Sequence, residues 1–199
     1  MKNPRNILAK ISAAVVVVLA VAGGAVAKRH SDPAFSNIHI RNFGKMDDRF
    51  YRGAQPDEAD YKDLKALGIR TIIDLQDSPT NYEKRDVEAL GMRYVNIPMS
   101  DSSYPKQESI NAFLKLVNDP ATGKFFAHCA GGRHRTGTMT ALYRMTNEGW
   151  TAAQAYNEMK QYHFEGFPDH PVLRSYVYNY KPAPKTPPAV LATSIVGTK

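Results

Sequence analysis

Only one cysteine, Cys129, occurs in the 199 residues of the chain. An intramolecular disulfide is therefore excluded, and the lone thiol is free to react. Blocks of five or six like charges are missing, and so is any nucleic-acid-binding motif, so no nucleic acid is expected as a partner despite a formal net charge of +7. No internal repeat breaks the chain into units. Acidic residues are absent from the first 27 positions, where Lys2, Arg5 and Lys10 precede an almost unbroken apolar run over residues 11–27.

A basic start, an apolar middle and the small-residue ending Ala25-Val26-Ala27 make residues 1–27 an expected export signal, cut before Lys28. The alternative is a retained membrane anchor through residues 7–27, because a spanning helix needs roughly 20 apolar residues and this run is only a little shorter. Both readings place the rest of the chain outside the cytoplasm, periplasmic or secreted in the first case and membrane-anchored in the second. Loss of residues 1–27 removes three positive charges and no negative ones, lowering the formal net charge from +7 to +4. That surplus either solvates the surface or attracts a polyanion.

The remainder reads as a linker over residues 28–36, one folded domain over 37–180, and a Pro/Ala-rich tail over 181–199 that is expected to be disordered. With 43% hydrophobic and 23% charged residues, the composition suits one compact core and hence one active site. Ile38, Ile40, Phe43, Phe50 and Tyr51 suggest two short strands around a turn at Gly44. Asp57 and Glu58 then open a helix carrying Tyr61, Leu64 and Leu67, stopped by Gly68. A buried strand follows at residues 69–75, a polar helix at 80–90 ending on Gly91, and an alternating strand at 92–97.

Pro105 opens a helix with Ile110, Phe113, Leu114 and Val117, and residues 124–128 form a third strand. Three further helices are expected at residues 136–148, 151–162 and 170–180. This alternation predicts an α/β fold, a single mostly parallel sheet flanked by helices, whose binding site lies beyond the strand ends.

At such a strand end stands HCAGGRHRTG, residues 128–137. A tight loop entering a helix start aims several N–H groups at one centre, which is what a phosphate needs, and Gly131, Gly132 and Gly137 permit the turns. A helix N-terminus and nearby cations also lower a thiol's pKa, so Cys129 is placed to act as a nucleophile. Arg135, six positions on, returns its guanidinium to the phosphate oxygens for a bidentate grip. Thr136 offers a hydroxyl hydrogen bond to the sulfur. His128 either orients the loop or is an end-of-strand histidine bonded to backbone. Arg133 and His134 line the pocket mouth or are merely solvated.

The segment resembles the signature of the protein tyrosine phosphatase superfamily: His-Cys, two residues, Gly, two residues, Arg, Ser or Thr, Gly. All six specified positions agree, a coincidence on the order of one in a million at average residue frequencies. Rhodanese-like sulfur transferases use a cysteine loop one residue shorter, and low-molecular-weight phosphatases place theirs near the chain start. Domain size and the late loop resemble the small dual-specificity group, especially its bacterial and atypical plant and fungal members. FYRGAQP, residues 50–56, is a second, weaker likeness from which Arg52 and Gln55 receive no role.

The resemblance implies a dual-specificity-phosphatase-like fold and a phosphomonoesterase that forms a phosphocysteine. Cys129, Arg135, Asp101, Thr136 and His128 are then the catalytic set. Ala130, Gly131, Gly132, Arg133, His134 and Arg135 bind the substrate phosphate, with no metal and no cofactor. The general acid is carried over to Asp101, 28 residues before Cys129 in the loop IPMSDSSYP, with Asp74 and Asp77 as rivals. Asp101 is otherwise a turn former among serines. Two substrate classes follow from the resemblance, phosphotyrosine proteins and inositol polyphosphates, the latter cleaved by phytase-like relatives. A catalytically inactive phosphate-binding module is the alternative from another class.

Overall fold

The computed structural model describes residues 28–29, 35–165, 168 and 170–183. The export segment and residues 184–199 of the tail lie outside the described residues. Among the described residues, six strands form one sheet: β1 Lys28–Arg29, β2 Gly44–Lys45, β3 Phe50–Ala54, β4 Ile69–Gln76, β5 Arg93–Met99 and β6 Lys124–Cys129. Their spatial order is β1-β2-β3-β6-β4-β5. Strands β3, β6, β4 and β5 run parallel, while β1 and β2 add an antiparallel edge. The sheet is therefore mostly parallel, as its alternation with helices implied. Lys28–Arg29, within the stretch read as a linker, supplies the outermost strand.

Helices α1 Asp60–Ala66, α2 Glu83–Ala89, α3 Gln107–Asn118, α4 His134–Tyr143, α5 Ala152–Gln161 and α6 Pro171–Asn179 cover both faces. Alternating side chains of the strands divide the core. Phe50, Ile73, Leu75, Phe125 and Ala127 pack with α3 to α6 on one face. Tyr51, Ile72 and Phe126 pack with Tyr61 and Leu64 of α1 and Val87 of α2 on the other. On β6 this alternation sends Cys129 to the first face and His128, stacked on Phe126 at 5.8 Å, to the second.

The first hairpin departs from expectation. Gly44 lies inside β2, where an added Cβ would meet the Tyr162 hydroxyl at 2.2 Å. The turn is built instead by Asp47, whose Oδ1 accepts from the Arg49 and Phe50 amides at 2.7 Å each. Residues 38–43 form no strand, but Ile38, Ile40 and Phe43 are buried. The helix expected over residues 136–148 starts two residues earlier and ends in a π-turn, Arg144–Glu148. Arg144, 1% exposed, is locked there by Glu158 at 2.8 and 3.0 Å, by Glu148 at 2.7 and 2.8 Å, and by the Trp150 ring at 4.5 Å.

Candidate active site

Residues 129–135 turn from the end of β6 into the first turn of α4. Gly132 has φ +64, and a Cβ there would lie 2.4 Å from the Gly53 carbonyl carbon and 2.5 Å from the Ala54 nitrogen. Only glycine fits a left-handed position this close to another backbone. The loop is fastened at three points to residues before, within and just after β3. Asn42 Nδ2 donates to the Gly131 carbonyl at 2.7 Å, Arg52 Nη2 donates to the Gly132 carbonyl, and the Gln55 amide donates to the Ala130 carbonyl at 3.4 Å. Three loop carbonyls are thereby engaged by groups outside the loop.

Arg52 is fully buried, with its guanidinium 4.1 Å from the centre of the Tyr162 ring. Burial lowers its pKa to about 10, while Tyr162 and Cys129 pull in the opposite direction, so it stays charged at neutral pH. Arg52 and Gln55 carried no role in the sequence, and Asn42 did not stand out in it. The signal for Arg52 was an arginine among the apolar residues of a buried strand; Asn42 left none, since its partner is 89 residues away.

Cys129 is 3% exposed. Burial pushes its thiol up, but the hydroxyl and amide of Thr136, then the charges of Arg135 and His128, outweigh it and hold the pKa below its ordinary value. Thr136 Oγ1 is buried without a hydrogen-bond partner of good geometry, yet it lies near enough to the thiol to lower its pKa.

Arg135 is 8% exposed and donates through Nη1 to Asp77 Oδ1 at 3.0 Å and to the Met99 carbonyl at 3.3 Å. Both contacts use one nitrogen, so the Nε and Nη2 edge is the one suited to a bidentate grip on phosphate. Asp77, one of the rival acids, thus sits on the arginine. Asp74, the other, is buried, its Oδ1 accepting from the Gln76 amide at 2.8 Å and its Oδ2 from the Tyr94 hydroxyl at 2.9 Å.

Asp101 is exposed on the loop after β5, and its carbonyl lies 2.9 Å from His170 Nδ1. The His170 ring rests 3.5 Å from that of His134, which also meets Phe164 at 5.3 Å. The Asp101 loop is thereby joined to the mouth of the Cys129 loop. Arg133 is 39% exposed and stands 4.0 Å from Glu165, and Ala130 is exposed.

His128 touches no substrate-facing surface. It is completely buried, with Nε2 2.8 Å from Glu83 Oε1. Burial opposes its charge, yet Glu83 and then Asp74 raise its pKa above the usual histidine value. Donor atoms of Asp74, Glu83 and His128 lie within 4.8 Å of one another, a spacing an ion could occupy. Both Asp74 oxygens already accept hydrogen bonds, and the 2.8 Å contact of His128 with Glu83 suits a proton between them rather than a metal.

A family model described as a DSP-PTPase phosphatase fused to NAD+ kinase matches residues 35–171. Over 137 residues the chain is 28% identical to the dual specificity protein phosphatase TpbA of Pseudomonas aeruginosa, covering 67% of this chain and 58% of TpbA. Over 128 residues it is 27% identical to the inositol diphosphatase DSP1 of Oryza sativa subsp. japonica, covering 61% of this chain and 56% of that one. It spans less than two thirds of either relative. The crystal structure of TpbA superposes with a TM-score of 0.64 at 23% identity, over 80% of this chain and 92% of that one. The catalytic core of the PP-IP phosphatase Siw14 from S. cerevisiae gives 0.63 at 20% identity, over 71% and 86%. At these identities the likeness to solved structures is one of fold.

Proposed function

The chain belongs to the DSP-PTPase family of phosphatases, and from that premise we propose that it hydrolyses phosphate monoesters through a phosphocysteine on Cys129. The observation that carries this reading is the coincidence at one loop of a thiol held below its ordinary pKa, a fixed arginine and a helix start. The Cys129 thiolate attacks phosphorus in line with the leaving oxygen. Arg135 and the loop amides hold the charge on the equatorial oxygens, and Asp101 protonates the departing alkoxide or phenoxide. A water molecule, deprotonated by Asp101, then displaces the sulfur, whose returning charge is eased by the Thr136 hydroxyl. Products are the alcohol and inorganic phosphate.

Inositol polyphosphates are the favoured substrates. Beside the loop, a cavity of about 370 Å³ is lined by Arg41, Asn42, Arg133, His163 and Glu165, a surface with two guanidinium groups for a polyanion. Rice DSP1 carries an inositol activity in its name. Phosphotyrosine proteins form the second class, supported by a TpbA crystal structure in complex with phosphotyrosine. An exported site of action, from the features of residues 1–27, supports the inositol reading, since soluble polyanions need no kinase nearby.

Phosphate release from an aryl phosphate tests the proposal. Equal release by the full chain and by Cys129→Ser would refute cysteine catalysis. Under identical conditions, inositol hexakisphosphate should be turned over faster than a phosphotyrosine peptide, and the reverse order would overturn the substrate preference.

A further inference from the structure

The buried pair behind the loop is unused by the mechanism above. His128 and Glu83 are each 0% exposed, and they meet on the sheet face opposite the thiol. An acidic residue in the first turn of a helix ordinarily stays in water, where it complements the helix dipole at no desolvation cost. Glu83 is instead sunk into the core, where a carboxylate without a positive partner is strongly disfavoured. His128 is that partner, and it is covalently next to Cys129.

We propose that Glu83 is a positioning residue for the nucleophile: it holds the His128 imidazole as a cation in a fixed orientation beneath the loop, and that cation favours the Cys129 thiolate. The inference rests on the cysteine mechanism of the preceding section. At 2.8 Å the hydrogen bond to Glu83 and then its Coulombic attraction both favour the imidazolium. In a buried setting such attraction is strong, because little water screens it.

Among the described residues, the charged or titratable groups facing the pair come from a few elements. Asp74 comes from β4, opposite His128 in the strand register. Tyr94 from β5 bonds to Asp74, Tyr61 from α1 and Tyr82 beside α2 neighbour Glu83, and Cys129 follows on β6. Burial and the nearby carboxylates push all three phenols up, so they remain neutral across the working range. The charges that count are two carboxylates, one imidazolium and one thiolate. Deleting the charge of Glu83 removes most of what keeps the imidazole protonated, and with it one of the cations that stabilise the thiolate.

The sign of the effect follows. Below the pH at which the imidazole beside Glu83 gives up its proton, a glutamine at position 83 leaves less imidazolium and so a smaller thiolate fraction; at higher pH, where the imidazole is neutral in either protein, the difference closes.

The test is the pH dependence of Cys129 alkylation by iodoacetate in the full chain, together with the acid limb of kcat/KM for an aryl phosphate. In Glu83→Gln both should move to higher pH, with alkylation several-fold slower at about pH 5.5 and near the unchanged protein at about pH 8.5. His128→Asn should show the same shift, and adding Glu83→Gln to it should change nothing further. Glu83→Asp, which keeps the charge, should restore most of the profile. Alkylation needs no turnover, so a chain without phosphatase activity would refute the proposed function while still testing Glu83. A folded Glu83→Gln protein whose profile stays in place, or is scaled down equally at every pH, would overturn the proposal. Should Glu83→Gln fail to fold, His128→Asn with an unmoved profile overturns it equally.

Discussion

Replacing Gly132 by alanine tests whether the shape of the loop is what makes it catalytic. An alanine at φ +64 costs about 1–2 kcal/mol for the left-handed backbone alone. Its methyl group would also stand 2.4–2.5 Å from the Gly53 carbonyl and the Ala54 nitrogen, whereas carbon atoms sit comfortably at about 3.5 Å. One backbone must retreat by about 1 Å. Strand β3 is the worse candidate, because Gly53 and Ala54 pair with His128 and Cys129 in the ladder to β6. The loop therefore gives way, dragging the carbonyl that Arg52 holds. Misplacing a reacting group by about 1 Å costs on the order of 10²-fold in rate. We expect kcat/KM for an aryl phosphate to fall about 100-fold while urea unfolding shows a loss of about 1–3 kcal/mol in a still-folded protein. Activity within threefold of the unchanged chain would refute the reasoning.

Asp101→Asn should slow release from alkyl phosphates by roughly 10²–10⁴-fold and from esters with good leaving groups much less, whereas Asp77→Asn should weaken substrate binding through Arg135 with no leaving-group dependence; the opposite pattern would move the acid to Asp77. Glu158→Ala leaves the Arg144 guanidinium buried with Glu148 as its one carboxylate partner among the described residues, so urea denaturation should show a loss of about 3 kcal/mol, and a loss below about 1 kcal/mol would contradict the role given to that pair. Stability should also depend on pH through His128. Its folded pKa is raised, so the pair contributes fully below about pH 6.5, the unfolded value, and the contribution fades as pH rises through the folded value. In a Cys129→Ser background, where no thiol titrates, the urea midpoint should fall on going alkaline, and Glu83→Gln should abolish that slope; a slope that survives the substitution would be inconsistent with the pairing.

Much of this architecture was legible in the chain. The apolar residues of β4 and β6 and the glycine stops Gly68 and Gly91, both at positive φ, marked the units correctly. The Cys129 loop stood out in the sequence too, because a phosphate cradle must be local in sequence. What escaped was set by partners far along the chain. The turn at Asp47 looked like a turn at Gly44, since a glycine forced by a neighbouring side chain, here Tyr162, resembles one that bends the backbone. Arg52, Asn42 and Glu83 do their work on residues 80, 89 and 45 positions away, and no local pattern encodes such a pairing. The grip of Asp77 on Arg135, across 58 residues, was hidden for the same reason.

Those fastenings also order events in time. The chain is made from its N-terminus, so Asn42, Arg52 and Gln55 leave the ribosome well before the loop they hold. Contacts of such sequence separation form late, after loop closure has been met and the sheet has assembled. A thiol on a strand that has not yet docked beside β3 lacks its shaped cradle. Enzymatic competence is therefore acquired at the end of folding, and the appearance of activity during refolding is a clock for the docking of β3 against β6.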